Sequence, residues 1–194
     1  MVDSDPPAIT NVDPVVGKMC KFHFDYHGTP ADYDWVTTAT GAGTSTRTWT
    51  NVATNAVFQE VADTNNTKLS QSISAPDEAQ LTFSPSYQVL SLPLTPGTTW
   101  GQTNIVITGP NFIVDVASSS NVAVGWENVT VPAGAYRAIK LTTTEDSLVR
   151  GQTVRETADH STWLSPASYC GTVKFDWLNS SGVHASRALT GEPL

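Results

Sequence analysis

The segment that decides the fold runs from Glu127 to Leu141 and reads ENVTVPAGAYRAIKL. Apolar and polar residues alternate on both sides of the turn Pro132-Ala133-Gly134, which is the period of a β-strand with one buried face. Pro132 cannot donate a ladder hydrogen bond and therefore ends the first strand. Gly134 admits the positive φ that a tight turn requires. The segment predicts a β-hairpin at the centre of an antiparallel sheet.

The same alternation recurs along most of the 194 residues, and 12 prolines and 13 glycines interrupt it at turns. No run of about 12 residues has the apolar spacing of an amphipathic helix. The sequence therefore predicts an all-β, antiparallel, meander-like protein with little helix. The predicted strands are 18–26, 44–52, 56–61, 68–74, 80–83, 87–92, 98–108, 112–117, 122–131, 135–144, 153–164, 173–178 and 183–189.

The domain organisation follows from length and composition. Residues 1–14 carry three prolines and several aspartates, which predicts a flexible N-terminal tether. Residues 15–194 form one β domain in this interpretation, with a weak sub-division allowed near residues 88–96. A chain of this size buries a sizeable core without additional cross-links.

Charge and hydropathy exclude two classes of function. The chain has 10 Lys and Arg against 18 Asp and Glu, a formal net charge of −8, and its basic residues form no run. Such a chain does not hold a nucleic-acid backbone electrostatically. No stretch of about 18 apolar residues is present, so we expect no transmembrane segment.

The first residues lack the basic and apolar regions of a signal peptide, and Met1 is interpreted as an expression start that replaces an export segment.

The hairpin from Glu127 to Leu141 resembles the E-x-V-x-V-P-A-G-x-[FY]-x-A-x-K hairpin of an uncharacterised group of bacterial envelope proteins and lipoproteins. In that group a P-L-x-x-G-x-x-W strand entry precedes the hairpin, and Leu92 to Trp100 is similar to it. Segments Trp163 to Pro166 and Gly171 to Lys174 are similar to the W-x-x-P-x-x-G-x-V-K segment that follows, with a longer spacing between Pro and Gly. The group is related to the lipoprotein carriers LolA and LolB.

This resemblance covers about residues 92–177 and implies a fold and a compartment more than an activity. It implies a curved antiparallel sheet, either a half-barrel or a partly closed barrel or sandwich. It also implies a location in the periplasm, at the outer membrane through an anchor, or outside the cell.

Cys20 and Cys170 are the only cysteines. In an exported protein an even number of cysteines indicates disulfide pairing. A Cys20–Cys170 disulfide would close a loop of about 150 residues and tie the first strand to the last quarter of the chain. Two free buried thiols are the alternative.

Three polar residues of the first strand, His23, Asp25 and His27, share one face at positions i, i+2 and i+4. Two imidazoles and one carboxylate are the ligand set of a facial metal site. The outer two positions lie about 13 Å apart on a straight strand, so one ion would require a bend or a bulge. The alternative interpretation is that the three side chains form a solvated polar face. Apart from a metal ion at this site, we expect no cofactor.

Arg47 and Trp49 occupy positions i and i+2 of the second predicted strand and therefore lie on the same side of it. If they share an exposed face, they are candidate ligand contacts, because exposed aromatic side chains on a sheet bind sugars or apolar molecules.

The sequence contains no recognisable set of catalytic residues. Asp159, His160 and Ser161 are adjacent in sequence and face alternate sides of a strand, so they form no relay by themselves.

Three functions follow as hypotheses. The first is an exported, non-catalytic envelope protein that binds a small apolar or amphipathic ligand, or an envelope protein partner, in a cleft of the sheet. The second is a metal-dependent enzyme that uses His23, Asp25 and His27. The third is an extracellular carbohydrate-binding module with an aromatic strand face.

Overall fold

The computed structural model describes residues 5–10, 15–41, 43–63, 68–74 and 79–192. Strands occupy most of this part of the chain, and it contains no helix long and apolar enough to cross a membrane. The twelve strands are β1 (Met19–Tyr26), β2 (Thr29–Gly41), β3 (Thr44–Asn51), β4 (Val57–Asp63), β5 (Lys68–Ser74), β6 (Ala79–Gln88), β7 (Thr99–Thr108), β8 (Ile113–Val131), β9 (Gly134–Val149), β10 (Glu156–Leu164), β11 (Thr172–Asn179) and β12 (His184–Gly191). The predicted all-β antiparallel meander is confirmed.

The strands form one antiparallel sheet in which each strand pairs with its neighbours in sequence. β1 pairs with β2 on one side and with β12 on the other, so that the pairing order is that of a closed barrel. The narrowest junction lies between β6 and β7, where pairing is confined to Thr82–Ser84 and Val106–Thr108. Because side chains alternate along each strand, every second residue points into the barrel.

The segment that predicts the central hairpin forms the adjoining parts of β8 and β9, the two longest strands. Gly134 adopts φ 146° at the turn, a conformation that favours glycine. The amide of Ala133 donates a hydrogen bond to the carbonyl of Leu189 on β12. The tip of the hairpin is thereby attached to the closing strand of the barrel.

Strand prediction differs from the structure at β2 and at the long strand β8. β2 was not predicted, because Pro30 and two aspartates obscure its alternation; its aromatic residues Tyr33 and Trp35 nevertheless share one face. β8 was predicted as two strands, separated where Ser118, Ser119 and Ser120 resemble a turn. Both differences arise because cross-strand pairing overrides local preference.

Buried apolar residues form two clusters. One joins Cys20 and Phe22 of β1 to Val129, Val131 and neighbouring residues of the hairpin and of β10–β12. The other surrounds Leu94, which is completely buried in the connection between β6 and β7, and includes Ile9, Leu90, Ala123, Ile139, Leu141 and Leu164. Residues 89–94 therefore contribute to the core of the barrel.

Ile9 and Leu94 exchange two backbone hydrogen bonds, of 3.0 Å and 2.8 Å, and Ile9 is buried. The prediction of a flexible tether is therefore wrong at Ile9, because its apolar side chain is buried in the second core cluster. Residues 1–4 and 11–14 of the predicted tether lie outside the described residues.

Cys20 and Cys170 are joined by a disulfide across a sequence separation of 150 residues, with their Cα atoms 6.0 Å apart. This is the pairing that the even cysteine count predicts. It connects β1 to the turn between β10 and β11, at the first of the two core clusters.

Candidate functional site

An interior cavity of about 620 Å³ is the candidate site. Residues of β1 to β4 line one side and residues of β9 to β12 line the other. The rest of the wall comes from the turn between β10 and β11, from Val89 and Leu90, and from Ile9, Val15 and Lys18. This volume lies within the range of about 300–1,000 Å³ that small-molecule sites occupy. The barrel therefore encloses room for a ligand between its two halves.

Three aromatic residues form the apolar part of the wall. Trp35 on β2 and Trp49 on β3 are direct cross-strand neighbours, with ring centroids 5.8 Å apart. Phe22 on β1 contacts both rings, at 6.3 Å from Trp35 and 5.5 Å from Trp49. The indole Nε1 of Trp35 is buried without a hydrogen-bond partner.

Arg47 and Glu60 form the polar part of the same wall. They are cross-strand neighbours on β3 and β4, and the Arg47 Nη2 atom lies 3.1 Å from the Glu60 Oε2 atom. The indole Nε1 of Trp49 donates to the same carboxylate at 3.3 Å. The Nε of Arg47 is buried and has no partner. Arg47 and Trp49 thus face the interior, and the exposed strand face considered for them is wrong.

Arg187 enters the cavity from β12. Its guanidinium carbon lies 4.8 Å from the ring centre of Trp49, 5.2 Å from that of Phe22 and 5.4 Å from that of Phe175. Its Nε is buried and has no hydrogen-bond partner among the described residues. Burial lowers the pKa of Arg187 to about 10; the charge of Glu60 opposes this shift and that of Arg47 adds to it. Arg187 therefore keeps its charge at neutral pH.

A second polar cluster lies further along the interior. Glu145 on β9 accepts a hydrogen bond from the hydroxyl of Tyr87, and its Oε2 atom lies 3.3 Å from the Nε2 atom of His160 on β10. Burial alone would raise the pKa of Glu145, but His160 and Tyr87 outweigh it, so that this pKa is lowered. Burial and the adjacent Glu145 raise the pKa of Tyr87. This carboxylate is therefore already partnered inside the barrel.

The structure does not bring His23, Asp25 and His27 together around one point. The Nδ1 atom of His23 lies 2.8 Å from the Oδ1 atom of Asp32, which is directly opposite on β2. Asp25 accepts a hydrogen bond from the amide of Gly28 at 2.8 Å. No group of three metal-ligating side chains occurs among the residues that the structure describes.

Sequence reasoning missed Arg187, Glu60 and the cluster around Glu145. The sequence does contain a signal for the inward orientation of Arg187. Ala185, Arg187 and Leu189 occupy every second position of one strand and so share a face, and both apolar residues are buried. A charged residue between two apolar residues at i−2 and i+2 faces the interior if they do. The sequence places His160 only beside Asp159 and Ser161, as part of a possible catalytic relay. Its contacts in the structure are with Glu145, Phe175 and Trp177 on adjacent strands.

The chain matches no protein-family model and no curated protein. Its fold is similar to that of a predicted exported protein with a YmcC-like fold from Bacteroides fragilis, with a TM-score of 0.60 at 13% identity over 97% of this chain and 100% of that one. It is also similar to the hypothetical lipoprotein YmcC from Escherichia coli, with a TM-score of 0.55 at 14% identity over 91% of this chain and 86% of that one. These likenesses concern the fold.

Proposed function

We propose that this protein is an exported, non-catalytic envelope protein that binds a small amphipathic molecule inside its barrel. The observation that carries the proposal is the cavity of about 620 Å³, whose wall combines the rings of Phe22, Trp35 and Trp49 with the charged groups of Arg47 and Arg187. An apolar surface with a few convergent polar groups is the usual composition of a small-molecule site.

Two further observations support the location in the envelope. Disulfides persist in oxidising compartments such as the periplasm and are rare in the cytosol, and this chain carries the Cys20–Cys170 bridge. The two proteins of similar fold are a predicted exported protein and a hypothetical lipoprotein, which agrees with the same compartment.

The binding proposal can be tested with N-phenyl-1-naphthylamine, a neutral apolar dye whose fluorescence rises when it leaves water. We expect the purified protein to bind this dye, and we expect Thr162→Trp to weaken binding about tenfold or more. Thr162 lines the cavity, so that an indole at this position fills space that the dye would occupy.

Ser161→Trp supplies the matched control. Ser161 adjoins Thr162 on β10, lies opposite Asp176 and is not part of the cavity wall. An indole there faces away from the cavity. This variant should bind the dye as the wild type does. Absence of dye binding by the wild type, or equal affinities for the two variants, would contradict the proposal.

A further inference from the structure

The charge of the cavity wall is opposite to that of the molecule. The chain as a whole has a formal net charge of −8, from 10 basic and 18 acidic residues. The wall nevertheless carries three of the basic residues, Lys18, Arg47 and Arg187, and only one of the acidic ones, Glu60. An excess of positive charge is therefore concentrated in the wall of the cavity.

The Nε–H group of Arg187 has no acceptor among the residues that the structure describes. Its neighbours Phe22, Trp49 and Phe175 are attracted to a cation through their ring faces, but they offer no lone pair to the N–H groups. The only acidic side chain of the wall, Glu60, is already bonded to Arg47 and to Trp49. The guanidinium therefore retains donors that an additional acceptor could use.

Two further donors are available in the same wall. The Nε of Arg47 and the Nε1 of Trp35 are both buried without a partner. Buried polar groups are nearly always hydrogen-bonded in folded proteins, and an unpaired one calls for an explanation such as strain, a functional role, or a bound water or ion. The Nε atoms of Arg47 and Arg187 and the Nε1 atom of Trp35 are thus donors without a partner among the described residues, and an anion could accept hydrogen bonds from them.

From this arrangement we infer that the ligand is an amphipathic carboxylate, whose head group binds Arg187 and whose apolar body lies against Phe22, Trp35 and Trp49. A guanidinium binds a carboxylate through two parallel N–H···O bonds, a geometry that an ammonium cannot reproduce. This inference rests on the proposed binding function and adds to it the chemical class of the ligand.

Displacement of the bound N-phenyl-1-naphthylamine tests the inference. Dodecanoate and dodecanamide have the same apolar chain and differ in the charge of the head group. For the wild type we expect dodecanoate to displace the dye at a concentration about 10- to 100-fold lower than dodecanamide, because hydrogen bonds between charged partners are stronger than neutral ones.

The variant Arg187→Gln should remove this difference. It keeps a polar side chain at the position but loses the charge, so that dodecanoate should bind no better than dodecanamide; thermal unfolding followed by circular dichroism reports whether the variant is folded. Arg187→Lys should recover only part of the preference, because it restores the charge without the paired donors. Arg155→Gln is the control, since Arg155 is an exposed residue that pairs with Asp146; it should leave the preference unchanged.

The outcomes separate this inference from the proposed function. If the wild type binds the dye but dodecanoate and dodecanamide displace it equally, the carboxylate assignment is wrong and the binding function stands. Tighter binding of dodecyl phosphate than of dodecanoate would also overturn the assignment. If the wild type does not bind the dye, the proposed function itself fails.

Discussion

Loss of the Cys20–Cys170 disulfide is expected to lower the free energy of unfolding by about 4–5 kcal/mol. The bridge spans 150 residues, and a cross-link that closes so long a loop removes much of the conformational entropy of the unfolded chain. This is a large part of the total stability of about 5–15 kcal/mol that is typical of a folded protein.

Urea unfolding of the double variant Cys20→Ser, Cys170→Ser measures this effect. Removing both cysteines avoids an unpaired thiol, and wild-type protein unfolded under reducing conditions supplies an independent comparison. A difference below about 1 kcal/mol from the oxidised wild type would show that the bridge contributes little. Two reactive thiols in denatured, unreduced protein from an oxidising compartment would show that the bridge does not form.

Substitution of Leu94 by alanine is expected to lower the free energy of unfolding by about 2–5 kcal/mol. Leu94 has no exposed surface and belongs to the second core cluster, and its backbone pairs with that of Ile9. Truncation would leave a cavity that the surrounding strands can fill only in part.

The matched control is Val154→Ala, which truncates an apolar side chain that is 70% exposed. It should change stability by less than about 0.5 kcal/mol, as surface substitutions usually do. If Leu94→Ala were as mild as this control, the connection between β6 and β7 would not belong to the core. Residues 88–96 would then be a boundary, as the sequence allowed.

Much of the architecture could be predicted because it rests on local patterns. Alternation on both sides of Pro132-Ala133-Gly134 predicts the hairpin, and the even cysteine count favours the pairing of Cys20 with Cys170 over two free thiols. Closure of the barrel could not be derived in this way. It depends on pairing between β1 and β12, which are separated by almost the whole chain.

The candidate site was predicted only in part, for the same reason. Arg47 and Trp49 were selected from their alternation, but a strand by itself does not reveal which of its faces the barrel encloses. The hypothesis of a metal site at His23 rests on the sequence of β1 alone. Its partner Asp32 lies on β2, which the sequence did not reveal as a strand.

The chemistry of the interior depends on which charges are already paired. Glu60 is bonded to Arg47, and Glu145 is bonded to Tyr87 and lies beside His160, so that each of these carboxylates already has a partner other than Arg187. Burying a charge without a partner costs free energy, and a protein compensates by supplying a partner from elsewhere. A bound carboxylate would be that partner.

A crystal structure of the protein grown with dodecanoate tests the central claim most directly. The account predicts electron density inside the barrel, with carboxylate oxygens about 2.7–2.9 Å from guanidinium nitrogens of Arg187. The apolar chain should contact Phe22, Trp35 and Trp49. Dodecanoate bound only on the outer surface, or a cavity that stays free of it at saturating concentration, would contradict the account.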